Sequence, residues 1–164
     1  MNRRALLALL AAAPTPALVA ARARPARAQE AVQPELPKEK LAIVTRDGTR
    51  HAFLVEMART PEQQTVGLMF RPSVPADGGM LFDWGSPRPS QMWMRNTVAS
   101  LDMLFINADG TIRRIAEDTV PQSLATIGSG GPVRATLELA AGTARRLGIR
   151  VGDRVSHPIF GADP

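Results

Sequence analysis

Leu41-Ala-Ile-Val-Thr-Arg-Asp-Gly-Thr-Arg-His-Ala-Phe-Leu-Val-Glu-Met57 is the stretch that decides the fold class. Two runs of strand-forming residues flank Asp47-Gly48, and that dipeptide supplies the positive φ angles a tight hairpin turn requires. Alternation along the second run puts His51, Phe53, Val55 and Met57 on one face, with Ala52, Leu54 and Glu56 on the other. A chain that opens this way builds outward by sheet.

Immediately downstream, Thr60-Pro-Glu-Gln63 starts a helix. Threonine caps, proline fits the first helical position, and Gln63 stands where a capping box returns its hydrogen bond. Val66, Met69 and Phe70 share one helical face, and Pro72 and Pro75 forbid continuation beyond about ten residues. Strands are then predicted at residues 80–82, 91–95, 101–107, 111–116 and 133–139, with Ala108-Asp-Gly110 as a turn and Gly128-Ser-Gly-Gly-Pro132 as a loop. Residues 141–147 read as a second short helix, ended by Gly148, and a Gly152-Asp153 turn closes the chain. Many short strands with two minor helices predict a mainly β, single-domain β-sandwich or small barrel.

Upstream of the hairpin the chain changes character. Residues 1–28 carry the parts of a cleavable signal peptide: Asn2-Arg3-Arg4, an apolar stretch from 5 to 13, and Ala26-Arg27-Ala28 as the small-x-small cut site. The apolar stretch is shorter than the roughly 20 residues a spanning helix needs. Arg3-Arg4-Ala5-Leu6-Leu7 resembles a twin-arginine signal. Residues 29–40 are polar and proline-punctuated, a flexible leader to the domain at 41–164. The expected location is therefore periplasmic or secreted, with the membrane met only through the signal peptide.

Charge distribution removes a nucleic-acid reading. The whole chain has Lys+Arg 20 against Asp+Glu 15, and its isoelectric point is about 11.1. Five of those arginines, at 3, 4, 22, 24 and 27, precede residue 29, and no acid does; 15 basic and 15 acidic residues remain. No Lys/Arg run survives beyond the signal to track a phosphate backbone. There are no cysteines, which excludes thiol catalysis and thiolate metal sites.

Six ordered blocks carry a family resemblance: Thr60-Pro-Glu-Gln63 with Gly67-Leu-Met-Phe-Arg71, Gly79-Met-Leu-Phe82, Met92-Trp-Met-Arg-Asn-Thr97, Leu101-Asp-Met-Leu-Phe-Ile106, Leu137-Glu-Leu139 with Gly142, and Gly148-Ile-Arg-Val-Gly-Asp153. Over residues 45–157 the chain resembles the bacterial and archaeal domain of unknown function 192. Arg95 stands where that family more often has lysine, and either keeps the positive charge. The resemblance implies a compact, mainly β fold and frequent export, with no assigned activity, substrate or cofactor.

The densest polar signal is Arg71, Arg95, Asn96, Asp102 and Glu138, each set beside large apolar residues. Arginine offers a planar fork of donors for an anion, and Asn96 both donates and accepts. Arg71, Trp93, Arg95 and Asn96 are the expected face for a small ligand or an envelope partner, making the domain a non-catalytic binding module. The competing structural reading pairs Arg95 with Asp102 and Arg71 with Glu138 as braces, and Trp93 is expected to be largely buried between its methionines. Asp102 and Glu138 are also the candidates for a hydrolase acting on envelope carbohydrate or peptide, provided they flank an open cleft. Met92 and Met94, on one face of a strand, offer soft thioethers to Cu(I). His51 and His157 meet if the terminal strands pair, but no zinc-type spacing links them. No cofactor is implied.

Overall fold

The computed structural model describes residues 32–164. The expected signal peptide, residues 1–28, and the first part of the expected leader, residues 29–31, lie outside the described residues.

The hairpin forms as the sequence dictates. β1 (Lys38–Val44) and β2 (Arg50–Ala58) pair antiparallel in the register Leu41 to Phe53 and Ile43 to His51. At the turn, Asp47 accepts from the Thr45 hydroxyl and the Thr49 N–H, and Gly48 adopts φ 88°. The strand begins at Lys38, so three residues assigned to the leader already belong to the sheet.

Beyond the hairpin come α1 (Pro61–Val66), β3 (Gly78–Met92), β4 (Leu101–Ile106), β5 (Ile112–Ala116), β6 (Ile127–Ala140), α2 (Thr143–Leu147), β7 (Arg154–Ser156) and a 3-10 turn, Pro158–Phe160. All seven strands join one sheet in the order β5-β4-β6-β3-β2-β1-β7. The β2–β3 pair is parallel and the others are antiparallel. Thr111 bridges Arg154, and the Val155 N–H donates to Gly110, so the sheet curls until its two ends touch. The result is a curled, barrel-like sheet with two short helices.

Both faces of that sheet are covered. One apolar cluster takes Leu41, Ile43, Phe53, Val55, Leu81, Leu104, Leu137 and Leu139. The second takes Leu68, Met80, Phe82, Met94, Met103 and Phe105. Strand alternation explains the split, because neighbours in sequence such as Met80 and Leu81 must point to opposite faces.

Three local expectations change. α1 has its capping box between Thr60 and Gln63, but it stops at Val66 because Gly67 turns away at φ 51°. A Cβ there would lie 3.0 Å from Phe82 Cζ, so the backbone itself packs on that ring. Gly128-Ser-Gly-Gly-Pro132 is part of β6 rather than a loop, paired irregularly with the far end of β3. His51 and His157 do not meet, since β1 lies between β2 and β7. His157 instead caps the last turn through Nδ1 and faces Glu39 at 3.2 Å.

Candidate functional site

Glu138 is placed by β6, whose alternation sends Leu137 and Leu139 into one cluster and Thr136 and Glu138 toward the other. Its register partners on the flanking strands are Met80 of β3 and Met103 of β4, both fully buried. Gly79 lets β3 approach closely here, for a Cβ at that position would collide with the Glu138 carbonyl oxygen. The side chain is 4 % exposed and makes no hydrogen bond or ion pair with any described residue. Burial pushes its carboxyl up to about 8, as expected of an acid walled by apolar groups.

That carboxyl lines an open cavity of about 480 Å³. Phe82, Trp84, Met92 and Trp93 supply apolar walls, and α1 with the turn behind it supplies Gln64, Leu68 and Met69. Phe82 and Trp84 have ring centroids 5.8 Å apart. Arg88 lies with its guanidinium 4.5 Å from the centre of the Trp84 ring.

Several nearby polar groups are committed to protein partners. The Trp84 indole N–H donates to Thr136 Oγ1 at 3.2 Å, and Ser90 Oγ shares that hydroxyl at 3.3 Å. Gln64 donates to the Ala58 and Asp83 carbonyls, and the Thr97 hydroxyl to the Arg95 carbonyl. Glu138 lines the cavity with its acceptors unused by any described residue.

The wall carrying Trp93 is held from both sides. The Phe70 N–H donates to Asn96, the Met94 N–H to Ser123, and the Gln122 N–H to Thr97. Phe70, Asn96 and Gln122 all have positive φ, unusual for residues with a Cβ. Such strain persists only where surrounding contacts over-determine it, and it is found at ligand clamps.

The other residues singled out from sequence are dispersed. Trp93 is 46 % exposed rather than buried, because β3 ends at Met92 and the chain turns before the alternation can carry Trp93 inward. Arg95 stacks on it at 5.6 Å. Asn96 serves through its backbone, in a left-handed conformation that asparagine tolerates. Neither Arg95 nor Asn96 lines the cavity.

Arg71 pairs with Glu56 and not with Glu138, and it lines a second cavity of about 610 Å³. Burial raises the Glu56 carboxyl, but the hydrogen bonds from Arg71 and the Leu36 N–H outweigh it and leave the group below its usual range. Asp102 is fully buried and accepts the N–H groups of Asp118, Gly142 and Ala144, which replaces the expected Arg95 brace. Met92 and Met94 do not share a strand face: Met94 lies beyond the strand end, with its sulfur accepting the Thr119 hydroxyl. Arg88 escaped the sequence reading. Its only signal in sequence is its place four residues after Trp84, across Gly85-Ser-Pro87.

Comparison with known proteins places this geometry. The sequence profile of domain of unknown function 192, described as "Uncharacterized ACR", matches residues 42–157. The chain belongs to the domain of unknown function 192 family. A crystal structure from Sinorhizobium meliloti 1021, named provisionally as a transcription regulator, is 48 % identical and superposes with a TM-score of 0.75, covering 77 % of this chain and 98 % of that one. A Novosphingobium aromaticivorans DSM 12444 protein of unknown function is 39 % identical with a TM-score of 0.72, covering 77 % and 91 %. No curated protein matches significantly. In this member of the domain of unknown function 192 family, the blocks around Phe82, Trp93 and Glu138 all converge on one cavity.

Exposure of Trp93 has an energetic consequence. Trp93→Ala is expected to change unfolding stability by less than about 1 kcal/mol, against the about 3 to 5 kcal/mol of a buried large aromatic. Urea unfolding of the two proteins measures it, and a loss above about 3 kcal/mol would contradict the exposed placement.

Proposed function

We propose that the domain is a small-ligand-binding module, exported by its signal peptide, whose ligand occupies the cavity between Trp84, Trp93 and Glu138. The observation that carries this reading is Glu138 itself. An apolar-walled carboxyl without a partner is costly to keep. Structural carboxyls in this fold, such as Asp102 and Glu56, have their hydrogen bonds filled by protein groups. Among the described residues Glu138 has no such partner, and it lines a cavity of the size and aromatic character that small molecules use.

The hydrolase alternative loses support because its second carboxylate, Asp102, is bound to backbone N–H groups and does not line the cavity. The regulator name of the Sinorhizobium relative is not carried over, given equal basic and acidic counts beyond residue 28. No helix among the described residues is long and apolar enough to cross a membrane.

A thermal-shift panel of sugars, sugar acids, hydroxy acids, amino acids and alkylamines on the full chain tests the reading. At least one class is expected to raise the melting midpoint, and Glu138→Gln and Trp93→Ala are each expected to abolish that rise. A panel with no rise, or a rise that survives both substitutions, overturns the cavity as the site.

A further inference from the structure

We infer that the cavity takes a small zwitterion, with a carboxylate on Arg88 and an ammonium on Glu138. This inference rests on the cavity being the ligand site and goes further by naming the ligand's chemistry.

Arg88 and Glu138 are the ionisable side chains in the cavity lining, and their ionised forms have opposite signs. They are not paired with each other. Arg88 makes its contact with the face of Trp84, which fixes the guanidinium while no described residue takes up its N–H fork. Glu138 has no partner among the described residues. A guanidinium and an acid left apart in one concave space call for a ligand with an anionic end for the first and a cationic end that ionises the second.

The alternatives fit less well. A neutral polyol would meet Glu138 through an ordinary hydrogen bond, whereas an ammonium makes a charge-assisted one about twice as strong. A phosphate brings close to two negative charges to a single arginine, while a carboxylate matches it one to one and suits its fork. The Phe82, Trp84 and Trp93 rings, which line the same cavity, accommodate the carbon chain between the two ends.

The groups around Glu138 set how its proton behaves. Met80 faces it from β3 and Met103 from β4, and Gln64, Leu68 and Met69 line the same cavity from α1 and its turn. Two neighbouring ion pairs, Arg71–Glu56 and Arg134–Asp83, are closed on themselves. Arg88 is the cation that shares the cavity. With its carboxyl raised to about 8, Glu138 is mostly protonated at pH 7. An incoming ammonium stabilises the carboxylate, so the carboxylic proton leaves to the buffer as the ion pair forms.

Calorimetric titration of the full chain at pH 7, in two buffers of different ionisation enthalpy, tests this. The probes are glycine, β-alanine, γ-aminobutyrate and ε-aminocaproate, whose lengths measure the span, with propionate, glycolate and ethylamine as half-ligands. One zwitterion is expected to bind at least tenfold tighter than any half-ligand and to release about 0.9 proton per site. Glu138→Gln is expected to weaken it at least tenfold and abolish the proton release, and Arg88→Gln to weaken it while leaving release intact. If none of the zwitterions binds, the inference falls. Tighter binding of glycolate or sugars without proton release also overturns it, yet leaves the cavity as the ligand site; that site fails only if the wider panel is silent as well.

Discussion

Asp102→Ala is expected to lower the unfolding free energy by about 3 to 5 kcal/mol, as urea unfolding would measure. The carboxylate is fully buried at the start of β4 and gathers three backbone N–H groups from two other segments. Asp118 donates at 3.0 Å from the loop after β5, Gly142 at 3.1 Å, and Ala144 at 2.9 Å from α2. α2 has only five residues and its cap position is Gly142, which has no side chain to offer. Asp102 does that capping from outside the helix. Its removal leaves three donors unmade, one buried at Ala144 and two part-buried at Asp118 and Gly142, each costing up to about 1 to 3 kcal/mol before relaxation. Relief of the aspartate's own burial returns part of that loss, hence the lower total. Asp102→Asn keeps the volume but turns one acceptor into a donor that faces N–H groups, and about 2 to 3 kcal/mol is expected. A double-mutant cycle with Arg95→Ala should show coupling near zero, because the partners of Asp102 are backbone groups. Strong coupling, or an Asp102→Ala protein within about 1 kcal/mol of the parent, would contradict this account.

The contrast between Asp102 and the hairpin shows which parts of the fold were legible in the sequence. Asp47-Gly48 and Thr60-Gln63 announce themselves because donor, acceptor and backbone angle all lie within four residues. The partners of Asp102 are N–H groups 16 to 42 residues away, and an N–H has no letter in the sequence. Arg71 chose Glu56 over Glu138 because Glu138 sits on β6, while Glu56 is offered by β2 beside the segment that carries Arg71. Trp93 misled for a related reason. Its neighbours look like a strand, but the strand ends one residue before it. The position of Glu138 was half legible: Leu137-Glu-Leu139 says that the acid faces away from the leucines. That its face is also covered, by Met80, Met103 and an aromatic cavity, depends on strands far off in sequence.

Glu138→Gln should make the protein more stable, and by an amount that grows with pH. The ordinary value for this carboxyl is 4.5, and burial raises it to about 8 in the folded chain. Between those two values the unfolded chain is ionised while the folded one keeps its proton, so rising pH favours unfolding. Below about pH 4 both states are protonated and the penalty vanishes. At about 1.4 kcal/mol per unit of separation, the folded state loses about 3 kcal/mol by pH 7 and about 5 kcal/mol by pH 9. Glutamine has nearly the same shape and does not ionise, so it removes that loss while leaving the Met80 and Met103 contacts in place. Urea unfolding at pH 4, 7 and 9 is therefore expected to give near-equal stabilities at the first pH. The variant should lead by about 3 and about 5 kcal/mol at the next two. The slope identifies the cause, since a packing change would shift all three by the same amount. A Glu138→Gln protein whose advantage does not change with pH would mean that the carboxyl titrates normally, and that neither a proton held in the cavity nor its release on binding an ammonium can be sustained.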